Sequence, residues 1–106
     1  SASEKHPLIG APLAECLATS DLPGGVVNLI TGYHDELVEH IATHRDIDAV
    51  HAASLSAEHA STLRAGSAEN LKRVTLHDAV ALDTAADPWW IEPFVEMKTV
   101  WHPSAV

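Results

Sequence analysis

The chain predicts an α/β fold: a parallel sheet flanked by helices in three layers, half of a doubly wound unit, with a C-terminal β-strand extension. Three observations carry this. Short apolar runs rich in β-branched residues alternate with helical patterns, in the order α-β-α-β-α-β. Glycine, proline and aspartate punctuate the junctions, as in Asp21-Leu-Pro-Gly-Gly25. Strands joined through such short helices require right-handed crossovers, hence parallel pairing.

Each element has a local cause. The first helix covers residues 10–20, with Pro12 near its start and Leu13, Cys16 and Leu17 pointing inward. The Pro-Gly-Gly turn ends it. Residues 26–31, Val-Val-Asn-Leu-Ile-Thr, read as a buried strand between Gly25 and Gly32. A second helix over 36–44 places Leu37, Val38 and Ile41 on one face, with Asp35 favourable to its first turn. Residues 46–51 form a weaker second strand. Ser56 is a good N-cap for a third helix over 57–65, whose apolar stripe is Ala60, Leu63 and Ala57. Residues 73–77 are the third strand. The chain then divides into a unit over 1–78, an Ala- and Asp-rich connector over 79–88, and a Trp-containing segment over 89–106. In that last segment Phe94, Glu96, Lys98 and Val100 alternate with Val95, Met97, Thr99 and Trp101 in the manner of a half-covered strand.

Composition sets outer bounds. The 106 residues suffice for one small domain, and an apolar content of 46% allows a core. No apolar run reaches the length of a membrane span, and no apolar signal core follows a basic start, so a cytoplasmic protein is expected. Fifteen acidic against six basic residues give a net charge of −9, which argues against nucleic acid and against an anionic membrane as partners. The single cysteine, Cys16, has no second cysteine to pair with in this chain.

Candidate chemical groups are few. Cys16 lies mid-helix between Leu13 and Leu17 and reads as a core thiol rather than a nucleophile. His77, beside Asp78, titrates in the range of a general base, but no nucleophile is visible for it to serve. His40 and His44, with Glu36 one turn earlier, have helical spacing that can hold zinc or nickel. A third ligand is wanting and that face reads as solvated, so no metal site is assigned.

Several blocks together resemble the coenzyme domain of the aldehyde dehydrogenase family. They are Pro23-Gly-Gly-Val-Val-Asn28, the glycine at Gly32, His44-Arg-Asp-Ile-Asp48, and Asn70-Leu-Lys-Arg-Val-Thr-Leu76, all at family spacing. Phe94-Val-Glu-Met-Lys-Thr-Val-Trp101 is similar to the family's last strand, which lies in an oligomerisation sheet. The resemblance implies a partial Rossmann-like unit with NAD as cofactor, with Glu4, Gly32, Ser54 and Ser56 as cofactor-binding positions. It also exposes departures. Where the family has Phe-Thr-Gly-Ser, this chain has Ala52-Ala53-Ser54-Leu55, so a Cβ replaces the glycine and an apolar side chain replaces a hydroxyl. Where the family has Leu-Glu-Leu-Gly-Gly-Lys, the chain has Leu76-His77-Asp78-Ala79-Val80-Ala81, with His77 in place of the general-base glutamate. The family's adenosine-ribose lysine aligns with Ser1, and its catalytic cysteine has no counterpart. These departures imply weak or absent NAD binding and no catalytic residues here. The expected role is a non-catalytic family domain in subunit assembly or regulation, as a homo-oligomer or with a related aldehyde dehydrogenase subunit. The alternative is an NAD-binding component of an active oxidoreductase whose cysteine comes from elsewhere. A histidine-based metal-binding module is a third option.

Overall fold

A computed structural model describes residues 1–103. Its centre is a two-stranded parallel sheet, β1 (Ala49–Ala53) and β2 (Arg73–His77), in register Val50↔Val74 and Ala52↔Leu76. Helix α2 (His34–Thr43) precedes β1, and α3 (Ala57–Asn70) connects β1 to β2. Both helices lie on one face of the sheet. There Val38, Ala42 and Leu63 are buried, and Ile41, Val50, Ala52, Leu55, Val74 and Leu76 pack around them. Strand alternation puts Val50, Ala52, Val74 and Leu76 on this face and sends His51 and His77 to the other. Parallel pairing with helical crossovers is therefore as the sequence predicts.

Close approach of the two helices has a specific cause. A Cβ at Gly66 would lie 2.4 Å from the carbonyl oxygen of Ala42, so only glycine lets α3 approach α2 at that distance. The junction is then pinned from β2. Lys72 is 5% exposed, and its Nζ donates at 2.8 Å to each of the carbonyls of Ile41, Ala42 and His44. These are the carbonyls that a helix C-terminus leaves without intrahelical partners, and an ammonium also complements the negative end of the helix dipole. Asn70 Nδ2 donates to the carbonyls of Arg45 (2.9 Å) and Ile47 (3.2 Å), fixing the loop into β1.

The boundaries differ in instructive ways. β2 matches its expected range. β1 begins three residues later than expected and runs through Ala53, because the preceding Arg45 and Ile47 carbonyls are taken by Asn70. α3 continues five residues beyond its expected end and stops at Leu71, which holds a left-handed conformation at φ 58°.

The N-terminal third departs most. Helix α1 (Gly10–Thr19) forms where expected, but it buries no residue: Leu13 and Cys16 are exposed and Leu17 is half-buried, so the inward face and the core thiol are corrected. Residues 26–31 are not a strand. They follow a turn in which Val26 N donates to the Pro23 carbonyl and Gly25 takes φ 84°, then run without a ladder partner. Ala2 N donates to the Ile30 carbonyl at 2.9 Å. A strand needs a neighbouring edge, and local apolar pattern reports propensity without supplying one.

The C-terminal segment also differs from the expected strand. After a one-turn helix α4 (Leu82–Ala85), two 3₁₀ turns, Pro88–Trp90 and Glu92–Phe94, lie over the helix-free face of the sheet. Residues 95–103 pair with no strand, and residues 104–106 lie outside those described. Among the described residues no helix packs on that face; Trp90 and Phe94 of the two 3₁₀ turns meet it instead. Among the described residues no helix is long and apolar enough to cross a membrane.

Candidate functional site

Two places gather polar side chains. The first is where β1 and β2 end and α2 and α3 begin. Ser54 follows β1 at φ 56°, the left-handed region where glycine carries no penalty and other residues do. Its N–H donates to the His77 carbonyl at 3.0 Å and its Oγ to the Asp78 carbonyl at 3.2 Å. Ser56 caps α3, its Oγ accepting from His59 N at 3.1 Å. The His59 ring then reaches across to Asp35 at the start of α2, with 2.8 Å between Nε2 and Oδ1. Glu4 does the equivalent for α2: its carboxylate accepts from His34 N and stands 3.6 Å from His34 Nδ1.

A cleft of about 260 Å³ opens beside these residues, lined among others by Ser3, His34, Leu37, His51, Ala53 and Leu55. This is just under the roughly 300–1,000 Å³ of small-molecule pockets. None of Glu4, Gly32, Ser54 and Ser56 lines it, although Ser3, Ala53 and Leu55 are chain neighbours of three of them. Gly32 lies elsewhere in the packing: a Cβ there would meet the Leu37 side chain at 3.6 Å, an ordinary contact. The structure therefore places Glu4, Ser54 and Ser56 at helix and strand ends, each with its polar group already engaged.

The second place is the helix-free face of the sheet. His51 and His77 stand on adjacent strands with ring centroids 4.7 Å apart. Trp90 covers both, at 4.2 Å from His77 and 4.9 Å from His51, and Phe94 stacks on His51 at 5.2 Å. Arg73, on the same face, pairs with Glu96. Desolvation against these rings, and secondly the charge of His77, hold the His51 pKa below its ordinary 6.5. Among the described residues the buried Nε2 of His77 has no hydrogen-bond partner. A recess of about 140 Å³ lies beside it, lined by Thr75, His77, Asp87, Trp89, Trp90 and Pro93. The rings of this cluster stack on one another, and the lowered pKa favours the neutral form of His51. The exposed thiol of Cys16 sits on α1 and does not belong to it.

Sequence reasoning missed this cluster, though a signal was present. Alternation along β1 puts His51 and Ala53 on one face, and the register that sets Ala53 opposite His77 brings the two histidines together there. For a metal, His44 is the C-terminal cap of α2 and its Nδ1 accepts from Asp46 N at 3.2 Å, so it departs from the helical face that Glu36 and His40 share. Among the described residues no three histidine, cysteine or acidic side chains converge on a metal-binding geometry.

Comparison with known proteins bears on both places. The model of the aldehyde dehydrogenase family matches residues 1–80. The chain is 35% identical over 74 residues to an NADP/NAD-dependent aldehyde dehydrogenase, PuuC, of Escherichia coli, covering 70% of this chain and 15% of that protein. It is 39% identical over 75 residues to the mitochondrial aldehyde dehydrogenase of Sus scrofa, covering 70% of this chain and 14% of that one. A shorter match, 46% over 48 residues, reaches malonate-semialdehyde dehydrogenase 2 of Geobacillus thermodenitrificans, covering 45% of this chain and 10% of the relative. The chain thus spans about 15% of the length of the first of these relatives. No solved structure matches it significantly.

Proposed function

We infer the function from one premise: this chain belongs to the aldehyde dehydrogenase family. We read it as a non-catalytic domain of that family, acting in subunit assembly or in regulation of a related oxidoreductase. One observation supports this most directly. The chain exposes 8819 Å², about 1.5 times the roughly 5,700 Å² expected of a folded monomer of its mass. Surface of that extent, rich in exposed leucine, valine and isoleucine, is what a chain presents when its partner is another protein. In this reading the partner is a second copy or a related aldehyde dehydrogenase subunit. Engagement of Glu4, Ser54 and Ser56 in local hydrogen bonds supports the non-catalytic half of the reading, since a pyrophosphate would have to displace the Ser56 cap from His59 N.

A second reading is favoured by the cleft beside His34 and Leu55, at the starts of α2 and α3. Positive helix ends attract phosphate there. In that reading the chain is an NAD-binding component of an active aldehyde dehydrogenase, with Glu4, Gly32, Ser54 and Ser56 along the adenosine and pyrophosphate and a cysteine supplied from elsewhere. Calorimetric titration with NAD⁺ separates the two. Saturable one-to-one binding supports the second reading. No heat at about millimolar ligand, together with a stable complex with itself or with a purified full-length family enzyme by light scattering, supports the first.

A further inference from the structure

We propose that residues 87–96 are a strap that closes over the helix-free face of the sheet at neutral pH and opens when His51 and His77 are both charged. The inference is independent of the assembly reading, and the strap lies beyond residues 1–80, which match the family. Its backbone bonds stay within it. Trp90 N donates to the Asp87 carbonyl, Ile91 N to Pro88, Phe94 N to Ile91 and Val95 N to Glu92. Its grip on the sheet comes from side chains. Trp90 lies over both histidines, Phe94 lies over His51, and Glu96 pairs with Arg73 at the start of β2.

Two histidines under one indole make this grip sensitive to protons. Their rings stand 4.7 Å apart on adjacent strands. One imidazolium is compatible with the stack, since the face of a tryptophan attracts a cation. A second is not. Like charges at that separation repel, and the buried Nε2 of His77 has no acceptor among the described residues for the proton that an imidazolium carries there. Strand pairing holds the backbones of both histidines, so the strap is the part that gives way. Desolvation, and secondly the charge of His77, hold the His51 pKa below 6.5. The open form, in which His51 loses its cover, therefore binds the proton more readily, and falling pH favours opening. The other charges borne here are Arg73 and Asp78 at the two ends of β2, and Asp87, Glu92 and Glu96 on the strap. Arg73 adds positive charge. Glu96 pairs with it and Asp87 Oδ1 accepts from Trp89 N at 3.0 Å, bonds that must break before either acid reaches an imidazolium. Asp78 and Glu92 are exposed, where water and salt screen them.

Fluorine NMR of the whole chain tests this, with a fluorotryptophan at position 90 and with Trp89 and Trp101 changed to Phe. At about pH 7.5 the resonance is expected away from its position in the urea-unfolded chain. At about pH 5.5, where Arg73 and the carboxylates keep their charge, it is expected to move towards that position. The ratio of open to closed strap should rise at least about threefold, with the helical circular dichroism of α2 and α3 unchanged. His51→Phe and His77→Phe each keep an aromatic ring in the stack but leave a single imidazole. In whichever of them folds, the resonance is expected to hold its closed position at both pH values. A resonance that does not move in the parent chain, or that moves as far in either folded Phe variant, overturns the proposal. So does a strap already open at the higher pH, or one that opens only as the helical signal is lost.

Discussion

Residues 34–77 and residues 7–31 both carry runs of leucine, valine and isoleucine, yet only the first stretch buries them. In the first, the parallel pair β1 and β2 gives α2 and α3 a common floor, and Val38, Ala42 and Leu63 close over it. In the second, α1 and the run from Val26 to Ile30 have comparable local propensity but no edge or face to meet. Propensity starts an element; burial needs a second element of matching shape at the right distance. The helix-helix approach at Gly66 and the Lys72 clamp show how specific that matching is in the folded body.

The largest expected effect sharpens the contrast within one chemistry. Leu63 is 2% exposed at the centre of the body, and Leu63→Ala is expected to cost about 3 kcal/mol in urea unfolding. Leu13→Ala, on α1, is expected to cost no more than about 0.5 kcal/mol when measured on the monomer at low concentration. Equal costs would erase the distinction between the two regions. Lys72→Met comes next. It keeps the aliphatic stem but leaves three helix-end carbonyls without their donor, at an expected cost of about 2–3 kcal/mol. A neutral result would mean that water replaces the ammonium without penalty.

Leu71→Gly has the opposite sign. Leu71 is 88% exposed and sits at φ 58°, so glycine removes backbone strain without losing packing. A gain of about 1 kcal/mol is expected in urea unfolding. The smallest effect concerns pH. The His51 pKa is depressed in the folded chain, so the unfolded chain takes up the proton first as pH falls. Stability tied to this site is full above 6.5 and is lost as pH falls through the folded value. Groups facing the cluster set its context: His77 and Arg73 from β2, and Asp87 and Glu96 from the covering segment. Acrylamide quenching of Trp90, with Trp89 and Trp101 changed to Phe, is expected to rise as pH falls below 6.5 and to stay flat in His51→Phe. A rise that persists in His51→Phe would assign the release to other groups.

Much of the body was legible in the sequence because its signals are local. β-branched residues gave β2 to the residue, Ser56 gave the start of α3, and Leu37, Val38 and Ile41 gave the buried side of α2. What failed to show was non-local or unsignalled. Nothing at Leu71 announces a left-handed residue, since glycine or asparagine is the usual marker there. The burial of Lys72 depends on three carbonyls about thirty positions away in sequence. The strand expected at 26–31 required an edge that pattern does not provide. Of the site residues, Ser56 reads as a helix N-cap from the sequence while Glu4 and Ser54 come only from the family resemblance; their hydrogen-bond partners, and the His51, His77 and Trp90 stack, emerge only once strands are paired.

Hydrogen exchange followed by mass spectrometry at several protein concentrations tests the central contrast most directly. Amides of α2, β1, α3 and β2 should show protection that does not require high concentration, because their burial is internal to one chain. Amides of α1 should be weakly protected when dilute. Equal protection of α1 and the body at every concentration would contradict the account, since the N-terminal layer would then be covered by its own chain.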